Sequence, residues 1–232
     1  MRLFYDKNIN ASDKTFVLSE DESKHIVRVL RMKNGEQLGL LNGKGSSFTC
    51  EIKDAHQKKC ELKIIAHSKE KELDYDLHIA IGPTKQLDRM EWFVEKATEI
   101  GVTEITLISC KNQERSKVKT ERLVRKAIAA MKQSHRTFLP KINEVTNVSS
   151  FIKQHPNGVI AHCYEESKAP FDTAFRRNNC PVLIGPEGDF TQEEINFALQ
   201  NGYKTITLGE NRLRTETAGL YVCVRGAVFI GI

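Results

Sequence analysis

The sequence predicts an α/β protein in two parts: a small β-barrel with one helix over residues 1–70, then an α/β domain with a mainly parallel sheet over residues 71–232. Three observations predict it. Short apolar–polar alternations crowd the first part, whereas strand and helix patterns take turns in the second. Between them, Ser68 to Tyr75 is charged and nearly free of apolar residues, as a linker is. The 232 residues, 40% hydrophobic and 28% charged, have the composition of an ordinary globular protein and the length for a small domain plus a medium one.

In chain order, Ser19 followed by Glu22 is a capping-box start. The helix after it carries Ile26, Val29 and Leu30 at helical spacing and ends before Asn34-Gly35. Gln37 to Leu41 reads as a strand, and Asn42-Gly43-Lys44-Gly45 as a turn. Phe48, Cys50 and Ile52 alternate with polar residues, as do Leu62 and Ile64 after the Gln57-Lys58-Lys59 turn. Beyond the linker come a strand over Leu77–Ile81 and a helix from about Lys85 to Ile100, which Gly101 stops. Glu104–Ile108 is the next strand, and a long basic helix runs from about Val118 to Ser134. Strands are predicted at 158–162, 181–185 and 204–208, with a helix near 191–200 opened by a second capping box, Thr191 to Glu194. The final helix, about Thr215 to Ile230, is apolar all round apart from Arg225 and predicts burial all round, in the core or at a subunit interface.

Several classes are excluded. The N-terminus reaches Arg2 at once and holds no apolar run, so no signal peptide is expected, and no uncharged stretch approaches the ~20 residues of a membrane span. A cytoplasmic protein with no membrane partner is therefore expected. The six cysteines are scattered without a C-x-x-C pair, and the seven histidines show no metal spacing, so no metal is expected. The formal net charge of +5 is mildly basic and suits a polyanionic partner. Lys24, Arg28 and Arg31 fall at i, i+4 and i+7, either a solvated helix face or a stripe that meets phosphates.

Two glycine-bearing loops follow strands near the C-terminus: Leu183-Ile184-Gly185-Pro186-Glu187-Gly188-Asp189-Phe190, and Leu208-Gly209-Glu210-Asn211-Arg212-Leu213-Arg214-Thr215-Glu216-Thr217-Ala218. Ligands of open α/β sheets bind at such strand ends. Neither loop is a phosphate cradle, since G-x-G-x-x-G and G-K-[ST] are missing and Glu187 and Asp189 would repel a phosphate. A cationic centre or neutral adenosine hydroxyls fit that acidity better. Taken alone, Gly-Pro-Glu-Gly is equally a tight turn before a capped helix.

Four stretches taken together carry more: His25 to Gly35 (HIVRVLRMKNG), Arg89 to Gly101 (RMEWFVEKATEIG), Leu183 to Gly188 (LIGPEG) and Leu208 to Ala218 (LGENRLRTETA). Across essentially the whole chain the sequence resembles the RsmE family, SPOUT-class enzymes that methylate N3 of a uridine in small-subunit (16S) ribosomal RNA. The resemblance implies a PUA-like RNA-binding β-barrel over 1–70 and, over 71–232, an α/β methyltransferase domain with a C-terminal trefoil knot. It implies a homodimer that uses S-adenosyl-L-methionine and acts on the ribosomal RNA or the assembled small subunit. It places the cofactor on Cys163, Leu183, Ile184, Gly185, Glu187, Gly188, Leu208, Gly209, Leu213, Thr215, Thr217 and Ala218. RNA falls to Lys24, Arg28, Arg31, Arg115 and Arg136. Within Met131–Arg136, Lys132 stands where relatives often carry an acidic residue, and Ala161–Glu166 matches the first cofactor loop weakly.

N3 of uracil is a weakly acidic imide, so transfer to it requires proton removal or stabilisation of charge on the flanking carbonyl oxygens. Arg214, between a strand end and the last helix, is the expected catalytic residue; its alternative is an ion pair with Glu187 or Glu216 that only fixes the loop. Two further readings stay open: a methyltransferase of the same class acting on another ribosomal or transfer RNA nucleotide, and a ribosome assembly factor without activity.

Overall fold

The computed structural model describes residues 1–113 and 118–232. Its contacts divide the chain into two units, one of Met1–Glu72 with Met131–Leu139, the other of Leu73–Ala130 with Pro140–Ile232. Residues 131–139, read in the sequence as part of the second domain, thus pack with the first unit.

In the first unit, β1 (Leu3–Tyr5), β2 (Thr15–Val17), β3 (Gln37–Leu41), β4 (Ser46–Asp54) and β5 (Glu61–Lys69) form one sheet in the order β1-β3-β4-β5-β2. β1 and β3 are parallel and the other pairs antiparallel. Alternate residues of β4 point inward, and its register with β5 shifts at Thr49/Cys50 and at Ile52/Asp54. Such bulges bend and twist a sheet, here around a core that includes Phe4, Ile26, Leu38, Phe48 and Leu62. β5 continues to Lys69, so the charged stretch read as a linker begins inside a strand.

The helix of this unit departs from expectation. Ser19 Oγ accepts the Glu22 N–H at 3.4 Å, but only this half of the capping box forms. α1 (Glu20–Lys24) widens at once into a π-helical turn over His25–Val29, where Leu30 N–H donates to His25 O at 3.0 Å. The wider turn lets both Ile26 and Met32 enter the core. Arg31 already lies beyond it, with φ 55°. The expected stripe of Lys24, Arg28 and Arg31 along one α-helix therefore does not form.

The second unit contains β6 (His78–Ile81), β7 (Glu104–Ser109), β8 (Lys141–Asn147), β9 (Val159–Ala161), β10 (Ala169–Pro170), β11 (Val182–Ile184) and β12 (Lys204–Thr207). They form one sheet in the order β10-β12-β9-β11-β6-β7-β8, and every pairing is parallel. Central strands covered on both faces read as apolar runs, and all residues of β6 and β11 are buried. The described helices between them are α2 (Leu87–Ile100), α3 (Thr120–Gln133), α4 (Val148–Gln154), α5 (Phe171–Ala174) and α6 (Gln192–Gln200), and α7 (Thr215–Ile230) follows β12. Gly101 ends α2 with φ 118°, and both halves of the Thr191–Glu194 capping box open α6.

α7 is buried through Val222, Cys223, Ala227 and Ile230, but Tyr221, Val224, Val228 and Phe229 remain 39–74% exposed. Burial all round does not hold within one chain; an apolar face stays open. Among the described residues no helix is long and apolar enough to cross a membrane.

The parallel register positions the site. Ile81 pairs with Ile184, Ile184 with Ala161, and Ala161 with Ile206, so β6, β11, β9 and β12 end along one row. Their next residues leave the sheet side by side.

Candidate functional site

Beyond that row, the loops after β9, β11 and β12, together with the start of α7, enclose a cavity of about 750 Å³. β9 lies between β12 and β11, so the two loops singled out in the sequence rise on either side of it. Cys163, Ile184, Gly185, Glu187, Leu208, Gly209, Leu213, Arg214, Thr215 and Ala218 all line the cavity. Leu183, Gly188 and Thr217 do not. Leu183 is fully buried in the core with Ala80, Ile160 and Phe190, because successive residues of β11 face opposite sides of the sheet. Thr217 is exposed on the first turn of α7.

Gly188 turns away toward a neighbouring loop. A Cβ there would lie 2.6 Å from Asn112 O, and Asn112 Nδ2 donates to Gly188 O at 3.1 Å. A larger residue displaces the turn at 110–113 rather than entering the cavity. Gly188→Ala is expected to lower the melting temperature by roughly 2–8 °C, the cost of overpacking in a chain this size, with cofactor affinity within threefold of wild type. Thermal melts and calorimetry on one preparation check it. Gly209 is different: its φ of 119° favours glycine, and nothing lies within 4 Å of its open side.

Asp189 joins two of the loops, a role the sequence did not disclose. It stands in the left-handed region at φ 60°, and its N–H donates to Pro186 O at 2.9 Å. Its Oδ2 accepts the Cys163 N–H at 2.8 Å and its Oδ1 the Phe190 N–H at 2.8 Å. Partial burial and then the Asp189 charge push the Cys163 thiol up. Thr215 Oγ1 donates to Gly185 O at 3.1 Å, which ties α7 to the β11 loop. Lys168 Nζ donates to His162 O at 2.7 Å on the third wall. Burial and the Lys168 charge lower His162.

Arg214 is the residue before α7, exposed and on the cavity wall. It takes neither of its two suggested partners. Glu187 Oε1 accepts the Lys85 N–H at 2.9 Å, and Glu216 Oε1 lies 3.7 Å from Arg89 Nε. Arg89 also reaches the cavity, from the first turn of α2. Only its place in the Arg89–Gly101 stretch singled it out, since nothing local in a helix indicates which distant loop it will face.

The residues expected to meet RNA do not gather in one place along the chain. Lys24 Nζ pairs with Glu20 at 2.7 Å, an exposed pair of small energetic weight. Arg28 Nε donates to Gln57 Oε1 at 2.6 Å, and Arg136 is partly buried in the 131–139 segment. Arg115 lies outside the described residues. Among the described residues no group of three or more His, Cys, Asp or Glu is placed to hold a metal ion.

Comparison with known proteins follows this division. Residues 69–225 match the family model of an RNA methyltransferase domain, and residues 18–65 that of an RNA methyltransferase PUA domain. The chain is 29% identical over 222 residues to ribosomal RNA small subunit methyltransferase E of Aquifex aeolicus, covering 94% of this chain and 95% of that one. The protein of the same name in Buchnera aphidicola subsp. Schizaphis graminum is 30% identical, with 92% and 90% covered. Among solved structures, a probable rRNA methyltransferase from Porphyromonas gingivalis superposes with TM-score 0.88 at 38% identity, covering 100% and 99%. A putative methyltransferase from Legionella pneumophila, in complex with the cofactor S-adenosylmethionine, superposes with TM-score 0.84 at 25% identity, covering 97% and 96%.

Proposed function

We propose, from the premise that this chain belongs to the RNA methyltransferase family, that it transfers a methyl group from S-adenosyl-L-methionine to N3 of a uridine in small-subunit ribosomal RNA. The observation that carries the reading is the cavity itself, where three loops and Arg214, with no ion pair among the described residues, meet at the ends of parallel strands.

The wall fits the cofactor. Ile184, Leu208, Leu213 and Ala218 offer apolar contact to an adenine, and the open backbone at Gly209 allows close approach. Glu187 and Asp189 make one side acidic, which suits a sulfonium and disfavours a phosphate. Bound there, S-adenosyl-L-methionine supplies an electrophilic methyl group. The chain's own part is to orient the uracil and stabilise the charge that builds on its carbonyl oxygens as N3 is alkylated. Arg214 serves that purpose, because its guanidinium stays charged, presents a planar fork of donors and is not taken up by Glu187 or Glu216. Cys163, Gly185 and Thr215 shape the cofactor's seat through the loops they belong to; Leu183 and Gly188 back those loops, and Thr217 lies on the exposed side of α7.

RNA is assigned to Lys24, Arg28, Arg31 and Arg136 of the first unit, and to Arg115, which lies outside the described residues. Without a single-helix stripe, these residues act as separate phosphate contacts, each contributing to the salt dependence of binding. The open apolar face of α7 supports a homodimer, since a face of Tyr221, Val224, Val228 and Phe229 is costly to leave in water. The same reading includes a trefoil knot in the C-terminal part and action in the cytoplasm.

Purified protein is expected to bind S-adenosyl-L-methionine and its demethylated product by calorimetry without added metal. Methyl transfer that disappears with a chelator and returns with a divalent ion, on RNA folded beforehand, would contradict this. The reaction itself is tested by mass mapping of small-subunit ribosomal RNA from a deletion strain. One uridine should lose its N3 methyl group and regain it when the mapped RNA is incubated with enzyme and cofactor.

A further inference from the structure

Glu216, in the first turn of α7, keeps a side chain only 9% exposed. Its Oε1 lies 3.7 Å from Arg89 Nε, and its Oε2 has no hydrogen-bond partner among the described residues. A buried ion pair is weak evidence for stability, because desolvation offsets the attraction, and a loose one is weaker still. A buried carboxylate at that distance from its cation suggests that the cation has other work.

Arg89 is well placed for it. Its side chain is 32% exposed and lines the cavity that Arg214 also lines. The segment leading into α2 is seated firmly on the β11 loop. Lys85 N–H donates to Glu187 Oε1 at 2.9 Å, and Gly82 packs so closely that a Cβ would lie 2.6 Å from Pro186 N. Glu216 approaches Arg89 at Nε, and among the described residues no acceptor takes the two terminal amino groups of the guanidinium, which can serve another. A planar fork of that kind matches a carboxylate or a phosphate, whose two oxygens it can engage together.

We infer that Arg89 is a second anion-binding group of the cavity, oriented by Glu216, and that it holds an anionic oxygen of a bound reactant. The inference rests on the methyl-transfer reading, in which two sources offer such an oxygen. One is the phosphate beside the target uridine; the other is the carboxylate on the amino-acid tail of the cofactor. The geometry and charge required of Arg89 are the same for both.

The test uses the full chain with Arg89→Ala, Arg89→Lys, Glu216→Gln and the double variant Arg89→Ala/Glu216→Gln. Three probes are titrated: S-adenosylhomocysteine, 5′-methylthioadenosine, which lacks the amino-acid tail, and unmodified small-subunit ribosomal RNA over a salt series. If the anion is a phosphate, Arg89→Ala weakens RNA binding about tenfold and lowers the slope of log affinity against log salt by up to about one unit. Both nucleosides then bind as in wild type. If the anion is the carboxylate, S-adenosylhomocysteine weakens about tenfold while methylthioadenosine and RNA do not change. In either case Glu216→Gln reproduces part of the loss and Arg89→Lys recovers part of it. The double variant is no weaker than Arg89→Ala, because an orienting residue has nothing left to orient. Arg89→Ala also strands the Glu216 charge; should it unfold, the double variant carries the same readout. Wild-type affinity for all three probes overturns the inference, as does a loss that is fully additive in the double variant. Wild-type protein that binds neither nucleoside nor RNA overturns the methyl-transfer reading itself.

Discussion

Arg214→Ala is expected to lower single-turnover methyl transfer by about 10²- to 10³-fold, the usual effect of removing one preorganised donor from a site of developing charge. Affinity for S-adenosyl-L-methionine should stay within about threefold, and RNA affinity should fall little, since a transition-state interaction is mostly absent in the ground state. The size of the effect follows from the surroundings of Arg214. It sits on the cavity wall while Glu187 and Glu216, its two suggested partners, are engaged by Lys85 N–H and by Arg89. Arg214→Lys keeps the charge but loses the fork, and should recover only part of the rate. A large loss of cofactor binding in Arg214→Ala, at unchanged rate of the bound complex, would assign Arg214 to the cofactor instead.

Asp189→Ala is expected to weaken cofactor binding by about 10- to 100-fold, the equivalent of one hydrogen bond of about 1.5–3 kcal/mol to a charged acceptor. The carboxylate bridges the β9 loop, through Cys163 N–H, and its own loop, through Phe190 N–H, so its removal frees two walls of the cavity together. Alanine also tolerates φ 60° poorly, at a further cost of about 1–2 kcal/mol to the folded loop. Asp189→Asn separates the contributions: it keeps the left-handed backbone and one acceptor oxygen, and should lose less. A second readout is independent of the ligand. The Asp189 charge helps to raise Cys163, so Asp189→Asn lowers the thiol and speeds its alkylation near pH 8. Unchanged alkylation in the variant, with unchanged cofactor affinity, would sink the bridging role.

Much of this architecture was legible in the sequence wherever one local signal decides the outcome. Gly101 ends α2 because the chain turns left-handed there, and Thr191 with Glu194 opens α6 because both side chains satisfy free N–H groups. The central strands announced themselves as apolar runs. β8 did not, because at the sheet edge none of its residues is fully buried and its side chains follow no clean alternation. α4, which follows directly, was missed with it, although Asn147 caps it. The π-helical turn at His25–Val29 was hidden too, since propensity and spacing read the same in both helix types until the core selects one. In the site, the two glycine loops were visible as motifs and most of their residues meet at the cavity. Arg89 and Asp189 were not assigned there, because their roles arise only when the parallel register places β6, β9, β11 and β12 in a single row.

That row also governs the order in which the molecule can form. β6, near residue 80, has no neighbour on its inner side until β11 arrives around residue 183, and β9 is completed on its other edge only by β12 around residue 206. Pairings between segments so distant in the chain close slowly, and during synthesis none of these can close before β11 itself has emerged. The apolar strand β6, paired with β7 on one edge, must therefore wait with its other edge open, in a form prone to stray association. A shortened chain lacking α7 would lack Thr215, which ties the helix start to Gly185, and the buried surface that α7 lays against β6 and α2. On the proposed reading, the cavity is thus completed only when α7 docks, and a chain made no further than β12 is expected neither to hold the cofactor nor to modify RNA.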